Sequence, residues 1–354
     1  MNDIFNKYDE LDIQYDVLKH NAEFLLQKYD LIKKSFLETP DVFEYEIIDA
    51  IEIKNIIKGC SLYEYDAIKI FVDDIQTIYK ITYKNITFYS FGNVDNSFKL
   101  LKISYSFCHA MQKTDKNYEI IWIPINAKRT YEYDNLDENN MNQSKQEFKG
   151  FTASGLTFSN KSIITRFDGV EKLLIHELIH NFNLDGSKFH NHNHDEIQTY
   201  KSIKPKKTHS YTYDIYESYT ELLSSYYNIL YKLIIEGKNN IYKSIIGNIL
   251  IEYMYSLNLI SIFVKLNGFD SIESFFKDVK FKADICIFEY VYVKTIMYNR
   301  FKLSDNHSFK DFKKNLRKIM KIIKNEKNLL LYEKKELDTP LNLEYVYNVG
   351  YYII

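Results

Sequence analysis

The stretch His176-Glu177-Leu178-Ile179-His180 decides how the rest of this sequence is interpreted. Residues 170–175 before it have the character of a helix start, and residues four apart on a helix lie on one face. Both imidazoles can therefore reach one metal ion, while Glu177 lies beside that ion and can take a proton from a water bound to it. This arrangement is typical of zinc hydrolases and predicts one Zn²⁺ per chain. The alternative is an amphipathic helix whose histidines only pack against its neighbours.

A second helix is expected to supply the third protein ligand, because hydrolytic zinc sites combine three protein ligands with an open position. Residues 213–231 contain neither Gly nor Pro and have helical character. Glu217 and Glu221 lie four apart there, and two carboxylates on a partly apolar helix are costly unless a cation or a donor meets them. We assign Glu217 as the third ligand and Glu221 as the group that accepts an imidazole N–H and fixes its tautomer. The reverse assignment and an exposed pair of glutamates stay open.

Three further histidines compete for the third position. His190, His192 and His194 alternate with asparagine between the two helices. The metzincin pattern requires Gly three residues and His six residues after the second histidine, but these positions hold Asn183 and Gly186. That pattern is excluded. We interpret the alternating run as a polar loop, with a regulatory metal site as the alternative.

A hydrolytic site also needs a donor that stabilises the oxyanion formed when water attacks a carbonyl. His209 and Tyr213 lie shortly before Glu217, so the entry to that helix can bring them to the metal. Both are candidate catalytic residues in addition to Glu177. The chain has 32 tyrosines, however, so a tyrosine near any site is expected by chance.

Two runs rich in β-forming residues, 151–158 and 162–166, flank a turn-like triplet at 159–161. They predict a hairpin that leads into the histidine helix. An exposed strand edge beside a zinc site can hold an extended peptide through main-chain hydrogen bonds. Ser154, Gly155 and Leu156 are therefore candidate substrate-binding residues, and Gly155 lets a backbone or a substrate approach closely. An ordinary structural hairpin is the alternative.

The two histidines and the later helical glutamate resemble the ligand set of the gluzincin zinc metallopeptidases. More narrowly, the chain is similar to zinc metalloproteinases of giant DNA viruses. The residues that carry this resemblance lie within roughly 116–235 and form the stretches 153–157, 174–180, 184–185 and 216–221.

The resemblance implies a zincin-like catalytic domain, in which a small mixed sheet lies over the helix that carries His176. It also implies zinc-dependent hydrolysis of peptide bonds, with a protein or a peptide as the substrate. Asp185 and Glu221 are expected behind the ligands, as groups that orient the histidines. Gluzincins often carry aspartate where this chain has Glu221, which keeps the charge on a longer side chain.

The whole chain is predicted to have an α+β fold in three parts. These are a mixed region at 1–113, a catalytic core at 114–237, and a predominantly helical lobe with an apolar tail at 238–354.

Local patterns predict individual elements of this fold. A helix is expected at 10–37 and a hairpin that turns at 84–85. Pro124, within the strand predicted at 118–125, indicates an edge strand or a bulge. The apolar run at 241–266 is interrupted by charged residues, so it predicts a buried helix and no membrane span.

Composition limits the classes of function. The 354 residues carry a net charge of −2, which gives no basic signature of nucleic-acid binding. Cys60, Cys108 and Cys286 lie far apart, which favours a reducing compartment without disulfides. The first residues lack the apolar segment of a signal peptide, so we expect an intracellular protein, of a host cell or of a virion. The oligomeric state is left open.

A zinc-dependent metallopeptidase is the favoured function. A virion or host-interaction protein with a structural or vestigial zinc site is the alternative from another class. The intact Glu177 argues against it, because a structural site has no use for a general base. A zinc hydrolase that acts on a non-peptide amide fits the same residues.

Overall fold

Helices alternate with short strands in the computed structural model, which describes residues 14–125 except 65 and 93, 147–148, 155–186 except 168, 215–266, 282–283, 292–304, and 314, 317, 318 and 321. The described helices are α1 (Tyr15–Glu38), α2 (Ile51–Lys58), α3 (Asp66–Asp74), α4 (Val94–Ala110), α5 (Val170–Phe182), α6 (Ile215–Glu236), α7 (Ile241–Leu266) and α8 (Lys294–Arg300). The described strands are β1 (Tyr45–Asp49), β2 (Thr77–Tyr83), β3 (Ile86–Ser90), β4 (Tyr118–Trp122), β5 (Glu147–Phe148), β6 (Gly155–Phe158), β7 (Lys161–Ile164) and β8 (Lys282–Ala283).

A mixed six-stranded sheet forms the centre of the described structure, in the order β1-β2-β3-β4-β7-β6. Strands β3, β4 and β7 are parallel to their neighbours in this group, whereas β1–β2, β2–β3 and β6–β7 pair antiparallel. Strands β5 and β8 form a separate parallel pair. The predicted α+β class is therefore confirmed.

Both predicted hairpins are present. Strands β2 and β3 pair antiparallel around Lys84 and Asn85, and Lys84 has a positive φ of 54°. Strands β6 and β7 pair around Ser159 and Asn160, and Ser159 has a φ of 56°. Tight hairpin turns need such positive φ values to match the twist of their strands. The second turn has two residues, not three, because Lys161 already belongs to β7.

Strand β4 corrects the interpretation of Pro124 as the mark of an edge strand. Strand β4 lies in the interior of the sheet, paired with β3 on one side and β7 on the other. It ends at Trp122, and Ile123 still donates its N–H to the Ile164 carbonyl at 2.7 Å. Pro124 lies beyond the last residue of β4, so its missing N–H interrupts no hydrogen bond of that strand, and the Ile125 carbonyl after it still accepts from the Phe167 N–H at 3.2 Å.

Both faces of the sheet are covered, because neighbouring residues of one strand enter different hydrophobic cores. Ile120 and Trp122 belong to the core that includes α1 and α4 to α8, whereas Ile121 and Ile123 belong to the core that includes α2 and α3. The pleat causes this alternation, since successive side chains of a strand point to opposite faces. Helix α5 therefore lies on the same face as α6 and packs mainly on the β6–β7 end of the sheet, while its Phe182 ring also contacts Tyr118 of β4.

The described part of the predicted C-terminal lobe is mostly helical, with the short strand β8 as an exception. The run at 241–266 forms α7, with buried apolar side chains such as Ile245 and Leu250. Across the described ranges, no helix has the length and apolar character needed to cross a membrane. The main core takes residues from all three predicted parts, and the boundaries near 113 and 237 stay predictions. The apolar tail lies outside the described residues.

Candidate metal centre

Helix α5 carries His176 and His180, and the turn at its C-terminal end places a carboxylate beside His180. Asn183 takes a left-handed φ of 55°, and the N–H of Leu184 bonds to the Ile179 carbonyl at 3.0 Å. Asparagine tolerates this conformation better than most residues, which is why it can end the helix where glycine is more usual. The reversal places Asp185 beside His180, so the site gains a carboxylate from a local turn.

The ligand candidates converge on one point between α5 and α6. The Nε2 atoms of His176 and His180 lie 3.2 Å apart. The two carboxylate oxygens of Glu217 each lie 3.3 Å from one of these Nε2 atoms. In the described part of the chain, these three side chains are the group of possible metal ligands whose atoms all lie within 4.8 Å of one another.

Carboxylates also face the opposite edges of both imidazoles. Glu221 Oε2 lies 3.2 Å from His176 Nδ1, and Asp185 Oδ2 lies 2.5 Å from His180 Nδ1. Thr220 in turn donates its hydroxyl to Asp185 at 2.9 Å. A ring that donates Nδ1–H to a carboxylate keeps its Nε2 lone pair for a metal. The contacts thus place Glu217 on the Nε2 side of both imidazoles and Glu221 on the Nδ1 side of His176.

Two buried lysines, which the sequence reasoning missed, contact the far oxygen of Glu221. Lys172 of α5 forms an ion pair with Glu221 Oε1, and Lys294 Nζ of α8 lies 3.5 Å from the same atom. Their side chains are only 2% and 1% exposed, which is rare for lysine without a charged partner. Lys172 lies four residues before His176, so helical spacing could have indicated it. Lys294 follows Glu221 by a long stretch of chain, and no local pattern points to it.

Burial and charge together determine the pKa values of the site. Burial lowers the pKa of His176, but hydrogen bonds to Glu217 and Glu221 outweigh it and raise that pKa to about 9. Burial also opposes protonation of His180, yet Glu217 and Asp185 raise its pKa well above the ordinary value. Burial alone would raise the pKa of Glu217, and the two imidazoles instead hold it well below its usual range. Without a metal, the carboxylates therefore favour charged imidazolium rings.

Glu177 lies on the side of α5 that meets strand β6. Its side chain is buried, and burial raises the pKa of its carboxyl. Thr157 donates its hydroxyl to Glu177 Oε2 at 2.6 Å. A Cβ atom on Gly155 would lie only 2.7 Å from Glu177 Cδ and 2.8 Å from its Cγ. The group that comes close to Gly155 is therefore the Glu177 side chain.

The remaining predicted residues differ in where they lie. Leu156, between Gly155 and Thr157, packs on the opposite face of the sheet, against the core of α2 and α3. Strand β6 has β7 as its neighbour on one side and ends the described sheet on the other. Ser154, His209, Tyr213 and the histidines at 190, 192 and 194 lie outside the described residues.

The charges of the site favour a cation. The ionisable groups that interact with the two imidazoles or pair with Glu221 are four carboxylates and two ammonium groups, those of Glu177, Asp185, Glu217, Glu221, Lys172 and Lys294. Glu252 adds a further negative charge near Lys172. With neutral imidazoles, negative charge is therefore in excess and favours a cation, and a donor set of two imidazoles and one carboxylate suits zinc.

Comparisons of the chain with protein-family models, with curated proteins and with solved structures each found no match. The resemblance to gluzincins therefore stays a prediction. The geometry of the site carries the functional interpretation.

Proposed function

We propose that this protein is a zinc-dependent metallopeptidase with a zincin-like catalytic domain. His176, His180 and Glu217 would hold the Zn²⁺ ion, and Glu177 would act as the general base. One observation carries the proposal: two imidazole Nε2 atoms and the Glu217 carboxylate converge between α5 and α6, while the carboxylate of Glu177 turns to β6. This separation of ligands from base is what hydrolysis by an activated water requires.

The proposed mechanism assigns one task to each group. Zinc held at this site would polarise the scissile carbonyl and lower the pKa of the attacking water. Glu177 accepts a proton from that water and later donates it to the leaving amine. The raised pKa of its buried carboxyl suits both steps, because a base that must also act as an acid works best near neutral pH. Glu221 and Asp185 hold the two imidazoles in orientation.

The position of strand β6 supports an extended peptide as the substrate. Its outer edge ends the described sheet, and its inner face contacts Glu177. A peptide that adds as a further strand would hydrogen-bond along this edge and pass close to the base. The proposed roles of Gly155 and Leu156 in substrate binding are then roles of their main-chain groups, since Gly155 has no side chain and the Leu156 side chain packs against the core of α2 and α3.

A structural zinc site fits these observations less well. Structural sites are closed by four protein ligands, and the described residues bring three together. A structural site also gives no reason to bury a fourth carboxylate beside the ligands and hold it with a hydroxyl, as Thr157 holds Glu177.

The first test measures metal content and peptide cleavage of the full chain and of Glu177→Gln. We expect one zinc per chain in both proteins, chelator-sensitive cleavage of a peptide library by the wild type, and no turnover by the variant. Glu171→Gln is the matched control, because it makes the same change on the solvent side of α5, where Glu171 pairs with Lys99. Equal cleavage by Glu177→Gln and the wild type would rule out this mechanism.

Glu217→Ala tests the third ligand. Loss of a direct ligand should weaken zinc binding by more than the roughly 10- to 100-fold that loss of an outer partner costs. Competition with a chelator of known affinity gives the measurement, with Glu236→Ala at the exposed end of α6 as the control. Undiminished zinc binding by Glu217→Ala would move the third ligand to Glu221 or to the loop that contains His190.

A further inference from the structure

A buried chain of hydrogen bonds joins the end of α5 to Glu177 through the β6–β7 hairpin. Asn181 Nδ2 lies 3.0 Å from Ser162 Oγ, which lies 3.1 Å from Thr157 Oγ1. Thr157 Oγ1 lies 2.6 Å from Glu177 Oε2. Ser162 is fully buried, and Asn181 and Glu177 are almost so. A series of three side chains outside the proposed ligand set therefore ends at the proposed base, which Thr157 contacts.

The chemistry of the groups gives this chain one direction. An ionised Glu177 carboxylate can only accept, so Thr157 donates its single hydroxyl hydrogen to it. The contact between Thr157 and Ser162 must then use the hydrogen of Ser162, whose oxygen accepts from the Asn181 amide. The Glu177 carbonyl, at 3.1 Å, is a longer alternative acceptor for the Thr157 hydrogen than the carboxylate at 2.6 Å. Every donor thus points toward the carboxylate, which strengthens the last bond.

The two oxygens of Glu177 consequently have different surroundings. Oε2 accepts the Thr157 hydroxyl, whereas Oε1 lies beside Gly155 and has no hydrogen-bond partner among the described residues. Gly155 and Thr157 are two apart on β6, so they face the same side of the sheet. Gly155 leaves space for the Glu177 carboxylate, and Thr157 donates a hydrogen bond to it. Together they orient the plane of the carboxylate.

We propose that Thr157 is a positioning residue that determines which oxygen of Glu177 acts as the base. With Oε2 held by the Asn181–Ser162–Thr157 chain, Oε1 takes the proton of the attacking water. This inference rests on the proposed function, since it concerns the base of that reaction. It predicts that the hydroxyl of Thr157, and not its methyl group or its volume, is what the site requires.

Two variants of the full chain distinguish the effect of the Thr157 hydroxyl from the effect of its branched shape. Thr157→Val keeps the branched shape and loses the hydroxyl, whereas Thr157→Ser keeps the hydroxyl and loses the methyl group. Crystal structures of both should show the Glu177 carboxylate rotated away from Gly155 in Thr157→Val and unmoved in Thr157→Ser. Ser162→Ala removes the middle hydroxyl of the chain and should move the carboxylate in the same direction by less.

Binding of acetohydroxamic acid to the zinc-loaded proteins gives a second readout that needs no substrate. A hydroxamate chelates zinc and hydrogen-bonds to a correctly placed carboxylate beside it. Loss of a hydrogen bond to a charged group should weaken its binding to Thr157→Val on the order of 10-fold or more, with Thr157→Ser close to the wild type. Zinc affinity should be equal in all three proteins, because Glu177 is not a ligand.

Three results decide the inference. An unmoved Glu177 carboxylate in Thr157→Val overturns it, and so does unchanged hydroxamate affinity. Equal displacement in Thr157→Val and Thr157→Ser also overturns it, because the methyl group would then be responsible. Failure of the proposed function looks different: the wild type would bind no zinc, while the crystal structures would still report whether Thr157 holds Glu177.

Discussion

Helix α5 meets two neighbours that hold its functional side chains by different means. On the side of α6 and α8, charged groups hold the imidazoles: Glu221 and Asp185 face the rings, and two buried lysines stand behind Glu221. On the side of the β6–β7 hairpin, Glu177 is held by a neutral hydroxyl and by the absence of a side chain at Gly155.

Under the proposed function, the difference follows from what each side must do. A metal ligand has to stay in one orientation and one protonation state, and buried ion pairs enforce both at a high cost if broken. A general base has to gain and lose a proton, so a fixed charge beside it would bias it toward one state. A neutral hydroxyl orients the base with a smaller bias, since the Thr157 hydrogen bond lowers the pKa of Glu177 less than the imidazole charges do. We therefore expect substitutions on the charged side to lower stability and zinc affinity. Substitutions on the neutral side should lower turnover.

Glu221→Ala should have the largest effect on stability. It removes the carboxylate that two buried ammonium groups contact, and breaking such a buried ion pair costs about 3–5 kcal/mol. Urea unfolding of the zinc-free protein measures this free energy. Glu171→Ala, which breaks the exposed pair with Lys99, should cost about 0–1 kcal/mol. Equal losses in the two variants would contradict the importance of the buried ion pairs.

Gly155→Ala should separate turnover from metal binding. The new Cβ would lie 2.7 Å from Glu177 Cδ, so the carboxylate must move, and a displacement of about 1 Å can cost about 100-fold in rate. Zinc affinity should stay within experimental error of the wild type. Gly247→Ala in α7 is the control, because its Cβ would meet nothing within 4 Å. A variant that loses zinc together with activity would remove the distinction between the two sides of α5.

The smallest expected effect is the pH dependence of stability without zinc. His176 has a pKa of about 9 in the folded protein, against an ordinary 6.5, so its stabilising contribution is full below pH 6.5 and declines as pH rises toward 9. Lys172, whose pKa burial lowers to about 8, acts in the opposite direction above pH 8. Unfolding free energy should therefore fall between pH 6.5 and 8, with His180, whose pKa is also raised, contributing in the same direction, and His176→Gln should reduce that slope without abolishing it. An unchanged slope in the variant would exclude His176 as its source.

The sequence predicted the parts of the site that depend on local spacing. His176, His180, Glu217 and Glu221 were predicted to share helical faces because residues four apart do so in any helix, and the structure brings these faces together. The hairpin at 155–164 followed from β-forming residues around a turn. Sequence spacing was sufficient for prediction wherever all the residues of a pattern lie in one helix or one hairpin.

Contacts between distant elements could not be predicted in this way. Lys294 meets Glu221 only because α8 packs against α6, and a lysine in an apolar helix has the same local pattern whether its ammonium is buried or exposed. The contact of Thr157 with Glu177 could not be predicted, because threonine is common in strands for its shape alone. Pro124 was misassigned because the strand ends two residues earlier, and propensities locate element ends less well than their centres.

The ion pair between Lys294 and Glu221 also bears on how the protein is made. A ribosome releases α5 and α6 before α8 is synthesised. During that interval Glu221 lacks its contact with Lys294. We expect the nascent chain to bind zinc weakly until α8 has left the ribosome and docked, which would delay the proposed peptidase activity until then. Zinc affinity of ribosome-bound chains stalled before α8 and after it would test this delay, and equal affinities would exclude it.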